Sequence, residues 1–264
     1  MTANDLREHF LSRADWVDRE TTVDNIIVGD PDRDVSAALV TWISSFAAVR
    51  AAVERGVAAL ITHEPTFYSH RNELDAIEES QIARQKKGFL DDSGLVILRI
   101  HDCWDRWPEI GIPWAWGRFL QLGDAPAAFG AARAQHRYDI SPVTVDELAR
   151  RIADKTGAIG EPSVQVVGEG AREVSRVGIG TGCICSVPVY VEMGCDVGVL
   201  CDDGASYWSR VQPAEDMDFP VIRVNHGTSE EPGMVSLTRY INDEVDGVTA
   251  EHLPHGSCFR LVGT

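Results

Sequence analysis

Three short apolar runs in this sequence each end on histidine and carboxylate. Val57-Ala-Ala-Leu-Ile61 leads into Thr62-His63-Glu64-Pro65, and Leu95-Val-Ile-Leu-Arg-Ile100 leads into His101-Asp-Cys-Trp-Asp105. Phe219-Pro-Val-Ile-Arg-Val224 leads into Asn225-His226-Gly-Thr-Ser-Glu230. Imidazole with carboxylate suits first-row divalent metals, whereas a thiolate set would point to zinc or iron–sulfur. His63, Glu64, His101, Asp105, His226 and Glu230 are enough for two ions about 3.5–4 Å apart that share a bridging carboxylate. Two such ions, or one with an open position, lower the pKa of bound water toward neutrality and supply hydroxide. That chemistry hydrolyses an amide-like, ring C–N or phosphate bond in a small molecule. Glu64, where it is not a ligand, is the carboxylate placed to shuttle protons. A lone histidine after a strand is more often a hydrogen-bonded structural residue. Its recurrence at three strand ends favours the metal reading. His9, His70, His136, His252 and His255 sit in polar stretches and are expected at the surface, with His70 and His136 as weaker alternatives near candidate loops.

Ligands in open parallel sheets gather beyond the carboxyl ends of the strands, so the elements that carry these residues matter. Strand and helix patterns alternate along the chain, which predicts an α/β fold with much parallel sheet. Strands are expected at 25–28, 37–42, 57–61, 95–100, 134–140, 163–167, 174–179, 197–201, 221–224 and 258–262. Helices are expected at 46–55, at 73–87 with Gly88 as the stop, at 187–193 and from about 230 to 242. Another is expected at 145–156, where Thr144 and Glu147 have capping-box spacing. The stretch 123–132, with Gly123, Pro126 and Gly130 among alanines, reads as a linker between lobes at 1–122 and 133–264.

Composition narrows the function further. The 264 residues are 44% hydrophobic and 25% charged, ordinary values for a folded chain. The balance of 24 basic to 41 acidic residues leaves a net charge of −17, which repels phosphate backbones and makes nucleic acid an unfavourable partner. No run of 18 apolar residues is present, and the polar start at 1–13 lacks the apolar core of a secretion signal, so a cytoplasmic protein is expected. The six cysteines lack the paired spacing of a zinc ribbon and read as reduced, mostly structural thiols. Trp104, Trp107, Trp114, Trp116 and Tyr207 lie beside the candidate loops, either to pack the core or to stack on a planar substrate.

At these residues the sequence resembles the Nif-three-like family of dinuclear-metal, toroidal hexamer proteins, some of which carry the label GTP cyclohydrolase I type 2 homologue. The resemblance runs from about Asp24 to Val262. It is carried by Gly29-Asp30-Pro31, the helix at 47–56 and the THEPTFY stretch beginning at Thr62. His101 and Asp105 match the family's His-x-x-x-Asp, and His226 and Glu230 its Gly-His-x-x-x-Glu, with Asn225 in place of the glycine. The resemblance implies two similar α/β lobes with largely parallel sheets and a metal site between them. It implies His63, Asp105, His226 and Glu230 as ligands, Asp105 and Glu230 as bridges, and His101 as a ligand or the partner of one. Two divalent ions (iron, manganese or zinc), a homohexamer and opening of a purine ring in a nucleotide are implied as well.

Three departures stand beside the match. Glu64 occupies the position of the family's second histidine, which makes the site harder and favours iron(II) or manganese, or leaves a mononuclear centre. Gly178-Ile-Gly180-Thr-Gly182 replaces a Gly-Gly-Ser-Gly-like run, and is either an anion cradle of backbone amides or a tight turn. Tyr207-Trp208 follows Leu200-Cys-Asp-Asp203 where a Tyr-His pair is common, so a family histidine is absent. A metal carrier without turnover, or a regulatory scaffold, therefore stands as the alternative to a hydrolase.

Overall fold

The structure is a computed structural model that describes residues 1–130 and 133–262. The chain divides into two compact units: Met1–Trp107 with Met234–His255, and Pro108–Gly233 with the residues from Gly256 onward.

In chain order the first unit begins with α1 (Ala3–Leu11), β1 (Ile26–Val28), β2 (Ala37–Ile43), α2 (Phe46–Glu54) and β3 (Ala59–Glu64). It continues with α3 (Leu74–Glu79), α4 (Gln81–Ser93), β4 (Val96–Arg99) and the single turn α5 (Asp102–Asp105). Thr2 and Asp5 close a capping box on α1, and Leu6 and Phe10, one turn apart, bury its inner face. The stretch expected as one helix at 73–87 is two, because Ser80 accepts from the Ala83 amide and starts α4 afresh. Gly88 stays inside α4, which instead ends at Gly94 in the left-handed conformation.

The second unit contains α6 (Ile112–Phe119), β5 (Ala128–Phe129), β6 (His136–Thr144), α7 (Val145–Gly157), β7 (Gln165–Val167) and β8 (Glu173–Ile179). It adds α8 (Val187–Glu192), β9 (Val197–Cys201), α9 (Gln212–Asp216) and β10 (Val221–Val224). The Thr144–Glu147 capping box forms on α7 as its spacing predicts. Helix α10 (His226–Glu244) starts in the second unit and from Met234 belongs to the first, which then receives β11 (Thr249–His252). The stretch expected as a linker lies inside the second unit and carries β5; Ala131 and Ala132 are outside the described residues.

The first unit's sheet has the order β1-β4-β3-β2-β11, with every neighbouring pair parallel except β1–β4. Strand β4 is buried along its whole length and β3 up to His63, as near-continuous apolar runs in parallel sheet require. Leu39, Leu60 and Ile97 pack with Val49 of α2 and Leu90 of α4. Each fully buried aliphatic side chain of this kind stabilises by about 1.5–3 kcal/mol. The second sheet has the order β5-β6-β8-β9-β10-β7, in which only β8–β9 and β9–β10 are parallel. The expectation of largely parallel sheets thus holds for the first unit and is corrected for the second, where β5, β6 and β7 pair antiparallel. No strand forms at 258–262, where Phe259, Leu261 and Val262 are exposed. Among the described residues, no helix is long and apolar enough to cross a membrane.

Candidate metal centre

The first unit gathers four of the six expected residues at the carboxyl ends of β3 and β4. His63 and Glu64 close β3, and His101 follows β4. The turn of α5 sets Asp105 one helical step beyond His101, with the Asp105 amide donating to the His101 carbonyl at 2.9 Å. His63, Glu64 and His101 can each offer an atom within 4.8 Å of the others, and so can His101, Asp102 and Asp105. The rings of His63 and His101 stack with centroids 4.4 Å apart. His63 Nε2 lies 3.4 Å from Asp105 Oδ1, and His101 Nε2 lies 4.0 Å from Glu64 Oε1.

Residues that the motif reading did not include hold this set. Buried Asp24 accepts from the backbone amides of His101 and Cys103, which fixes the loop after β4. Asp102 accepts from Thr22 Oγ1 at 2.8 Å and from the Val23 amide at 3.1 Å, while its other oxygen lies 3.0 Å from His101 Nδ1. An acidic residue next to a candidate histidine was the available signal for Asp102; Asp24 is nearly 80 residues away in sequence and gave none.

The second unit places the remaining two residues on the first turns of α10. His226 and Glu230 are four apart on one helix face, and His226 Nε2 lies 3.0 Å from Glu230 Oε1. This helix begins four residues earlier than its sequence pattern indicates. Its leading amides find acceptors far away in sequence: Asp202 takes the His226 amide, and Glu161 takes the Asn225 amide at 3.0 Å. Asp203 Oδ2 lies 2.9 Å from His226 Nδ1. Gly182 sits against the pair with φ +53°, and a Cβ there would be 2.8 Å from His226 Nε2.

The histidine geometry constrains the chemistry. A backbone carbonyl only accepts, so His63 Nδ1, 3.2 Å from the Ile100 oxygen, carries a proton and leaves Nε2 toward Asp105. In His226 and His101 the Nδ1 atom likewise meets a carboxylate, of Asp203 and Asp102, and Nε2 is turned toward Glu230 and Glu64. An imidazole lone pair facing a carboxylate needs a positive species between them, either a second proton or a metal ion. Nδ1 tied to an oxygen with Nε2 directed at other donors is the arrangement of histidine metal ligands. The donor set therefore fits a divalent cation. Without one, burial opposes charge on His101, but Asp105, the hydrogen bond to Asp102 and Glu64 outweigh it and raise its pKa to about 9.

The other sequence-level candidates divide. His70 is exposed, with its ring centroid 5.7 Å from that of His101 in an edge-to-face arrangement. His136 is fully buried rather than superficial, because β5 and β8 pair on either side of it, and burial lowers its pKa to about 4. His9, His252 and His255 are half-buried, His9 against Tyr240 and His255 against Trp42. Trp104, Trp107 and Trp116 are core residues, whereas Tyr207 and Trp208 are 77% and 82% exposed. Gly178 and Gly180 serve close packing, since a Cβ at either would strike the Tyr190 ring or its hydroxyl. Cys103, Cys185, Cys195 and Cys201 are buried, and burial pushes the Cys103 and Cys195 thiols up, the latter to about 12. No cysteine joins a metal-ligand group among the described residues.

The profile of Duf34/NIF3 (NGG1p interacting factor 3) matches residues 1–254. The chain belongs to the NIF3 family. Comparison with curated proteins gave no match. Among solved structures, a Staphylococcus aureus hypothetical protein, SA1388, is 19% identical with a TM-score of 0.77, over 99% of each chain. The protein ybgI, described as of unknown function, is 18% identical with a TM-score of 0.76, over 97% of this chain and 100% of its own. A Bacillus cereus protein related to NIF3 is 13% identical with a TM-score of 0.74, over 100% of this chain and 99% of its own. At such identities the likeness establishes a shared NIF3 fold.

Proposed function

We propose that this NIF3-family chain is a metal-dependent hydrolase acting on a C–N bond of a small cyclic amide or nucleotide-like molecule. The observation that carries the reading is the histidine geometry, in which Nδ1 is tied to an oxygen and Nε2 faces a carboxylate in both units. His63, Glu64, His101 and Asp105 of the first unit would hold metal, as would His226 and Glu230 of the second. The family resemblance makes Asp105 and Glu230 the bridging carboxylates of a two-ion centre of iron, manganese or zinc. A bound divalent ion supplies Lewis acidity and makes water a nucleophile near neutral pH. Asp102 and Asp203 orient the imidazoles of His101 and His226 from behind, and Asp24 fixes the loop on which His101 sits. Glu64, at the rim of the buried set with a 13% exposed side chain, is the group to take and return a proton where it is not itself a ligand. By resemblance the assembly is a homohexamer, which light scattering tests.

A carrier without turnover is the second reading, favoured by the exposed Trp208 where a Tyr-His pair is the family pattern. Elemental mass spectrometry on protein prepared without chelator tests the site, beside Asp105→Ala and His226→Ala. About two ions per chain, with metal lost in both variants, supports the proposed metal-dependent reading. About one ion makes Glu64 a site-breaking change, and no metal after reconstitution overturns the proposal. A loaded protein that exchanges metal yet depletes no cyclic amide or nucleotide in a substrate screen is the carrier.

A further inference from the structure

Arg99, the last residue of β4, is fully buried and takes no part in the proposed reaction. Its Nε donates to the His63 carbonyl at 2.8 Å, and Nη1 donates to the His70 carbonyl. Nη2 lies 3.6 Å from Glu64 Oε2. A guanidinium removed from water is costly unless its donors meet acceptors. Nε and Nη1 meet carbonyls of the segment that carries His63 and Glu64, while Nη2 makes no hydrogen bond among the described residues and has the Glu64 carboxylate as its ion-pair partner. Burial draws the Arg99 pKa down, and Glu64 heads the carboxylates that oppose the shift.

Glu64 is thereby divided between two neighbours. Oε2 faces the guanidinium, whereas Oε1 faces His101 Nε2 at 4.0 Å. The fork of Arg99 cannot follow a rotating carboxylate, because two of its nitrogens are held by backbone. A carboxylate with one oxygen engaged by such a cation presents the other oxygen alone to a metal.

We propose that Arg99 is a specificity-determining positioning residue that keeps Glu64 a one-oxygen ligand and so favours zinc over manganese. Zinc prefers few donors in a compact shell, whereas manganese favours a larger, oxygen-rich one. Releasing Oε2 supplies the additional oxygen. Arg99 thus opposes the shift toward harder metals that Glu64 by itself would bring. This inference rests on the first-unit set being a metal site.

The test measures Zn²⁺ and Mn²⁺ affinities of the metal-stripped full chain by chelator competition, for wild type and Arg99→Met. Loss of a nearby positive charge tightens both dications alike, so the ratio of the two affinities isolates ligation from charge. Arg99→Met lowers the zinc-over-manganese preference about tenfold, the scale of changes behind a metal ligand. In a Glu64→Gln background the same substitution leaves the ratio unchanged. Arg99→Lys keeps the cation but loses the fork, shifts the ratio in the same direction, and serves where Arg99→Met does not fold. Metal binding with an unaltered ratio in the arginine variants overturns this inference alone, as does an equal shift in both Glu64 backgrounds. A wild type that binds neither ion overturns the metal site and this inference with it.

Discussion

Gly182→Ala separates a binding role of His226 from a structural one. Gly182 has φ +53°, and a Cβ there would lie 2.8 Å from His226 Nε2, 3.2 Å from Cε1 and 3.3 Å from Glu230 Oε1. The left-handed backbone costs an alanine about 1–2 kcal/mol, independent of its neighbours. For a chain of this size that lowers the metal-free melting temperature by roughly 2–8 °C. The contact adds a second effect, because His226 is held from behind by Asp203 and cannot withdraw without breaking that 2.9 Å bond. Displacing a ligand atom by a few tenths of an ångström should cost at least the 10- to 100-fold, in order of magnitude, that follows from disturbing a ligand's supporting partner. Gly56→Ala is the control: φ is +67° and nothing lies within 4 Å of the added methyl, so it carries the strain without the contact. Thermal melts of the metal-free proteins and Zn²⁺ competition with a chelator give the two readouts. A melting shift in Gly182→Ala at least as large as the control's, with metal affinity lost only in Gly182→Ala, supports the geometry. An unchanged affinity in Gly182→Ala refutes it, since His226 Nε2 would then not be where metal binds.

Three further outcomes follow from side chains placed away from the ligands themselves. Asp102→Asn weakens metal binding about 10- to 100-fold with little loss of fold, because it removes the carboxylate behind His101 Nδ1; chelator competition and circular dichroism check both halves. His136, fully buried with a pKa lowered from 6.5 to about 4 by burial, binds a proton more readily unfolded than folded. Its neutral form therefore contributes roughly 3 kcal/mol above pH 6.5 that is lost as the pH falls toward 4, and denaturant melts of His136→Phe should show a shallower decline across that window. Lys86→Met deprives the Ser44 and Thr66 carbonyls of their buried ammonium donor, at 2.8 and 2.7 Å, and should destabilise by about 1–3 kcal/mol in urea titration.

Much of this was readable in the sequence where the determinant is local. The runs before His63 and His101 are buried strands because aliphatic side chains dominate them, with the polar Thr62 and Arg99 only at their ends, and Thr144 with Glu147 starts α7 through contacts three residues apart. The strand-end histidines fell where parallel pairing of β3 and β4 must deliver them. What escaped was set by distant partners. His136 looks polar in sequence but lies between strands that pair on both sides of it, and one of those, β5, is only two residues long. The start of α10 depends on Asp202 and Glu161, and the orientation of Glu64 on Arg99, three residues whose roles emerge only when the chain is folded. The run 258–262 has the apolar content of a strand without a sheet edge to join, and four-residue β11 has the edge without the content.

That last pairing has a consequence for biosynthesis. Strand β2, which reads Ala-Ala-Leu-Val-Thr-Trp-Ile, receives β11 along one side only after about 200 further residues have been made. At about 5–20 residues per second the gap lasts roughly 10–40 s on the ribosome. During that interval β2 presents an apolar row with unsatisfied backbone donors and acceptors, the kind of edge on which nascent chains pair with one another. Slow translation, or a stop codon ahead of Thr249, should therefore reveal itself as aggregation before it reveals itself as lost metal.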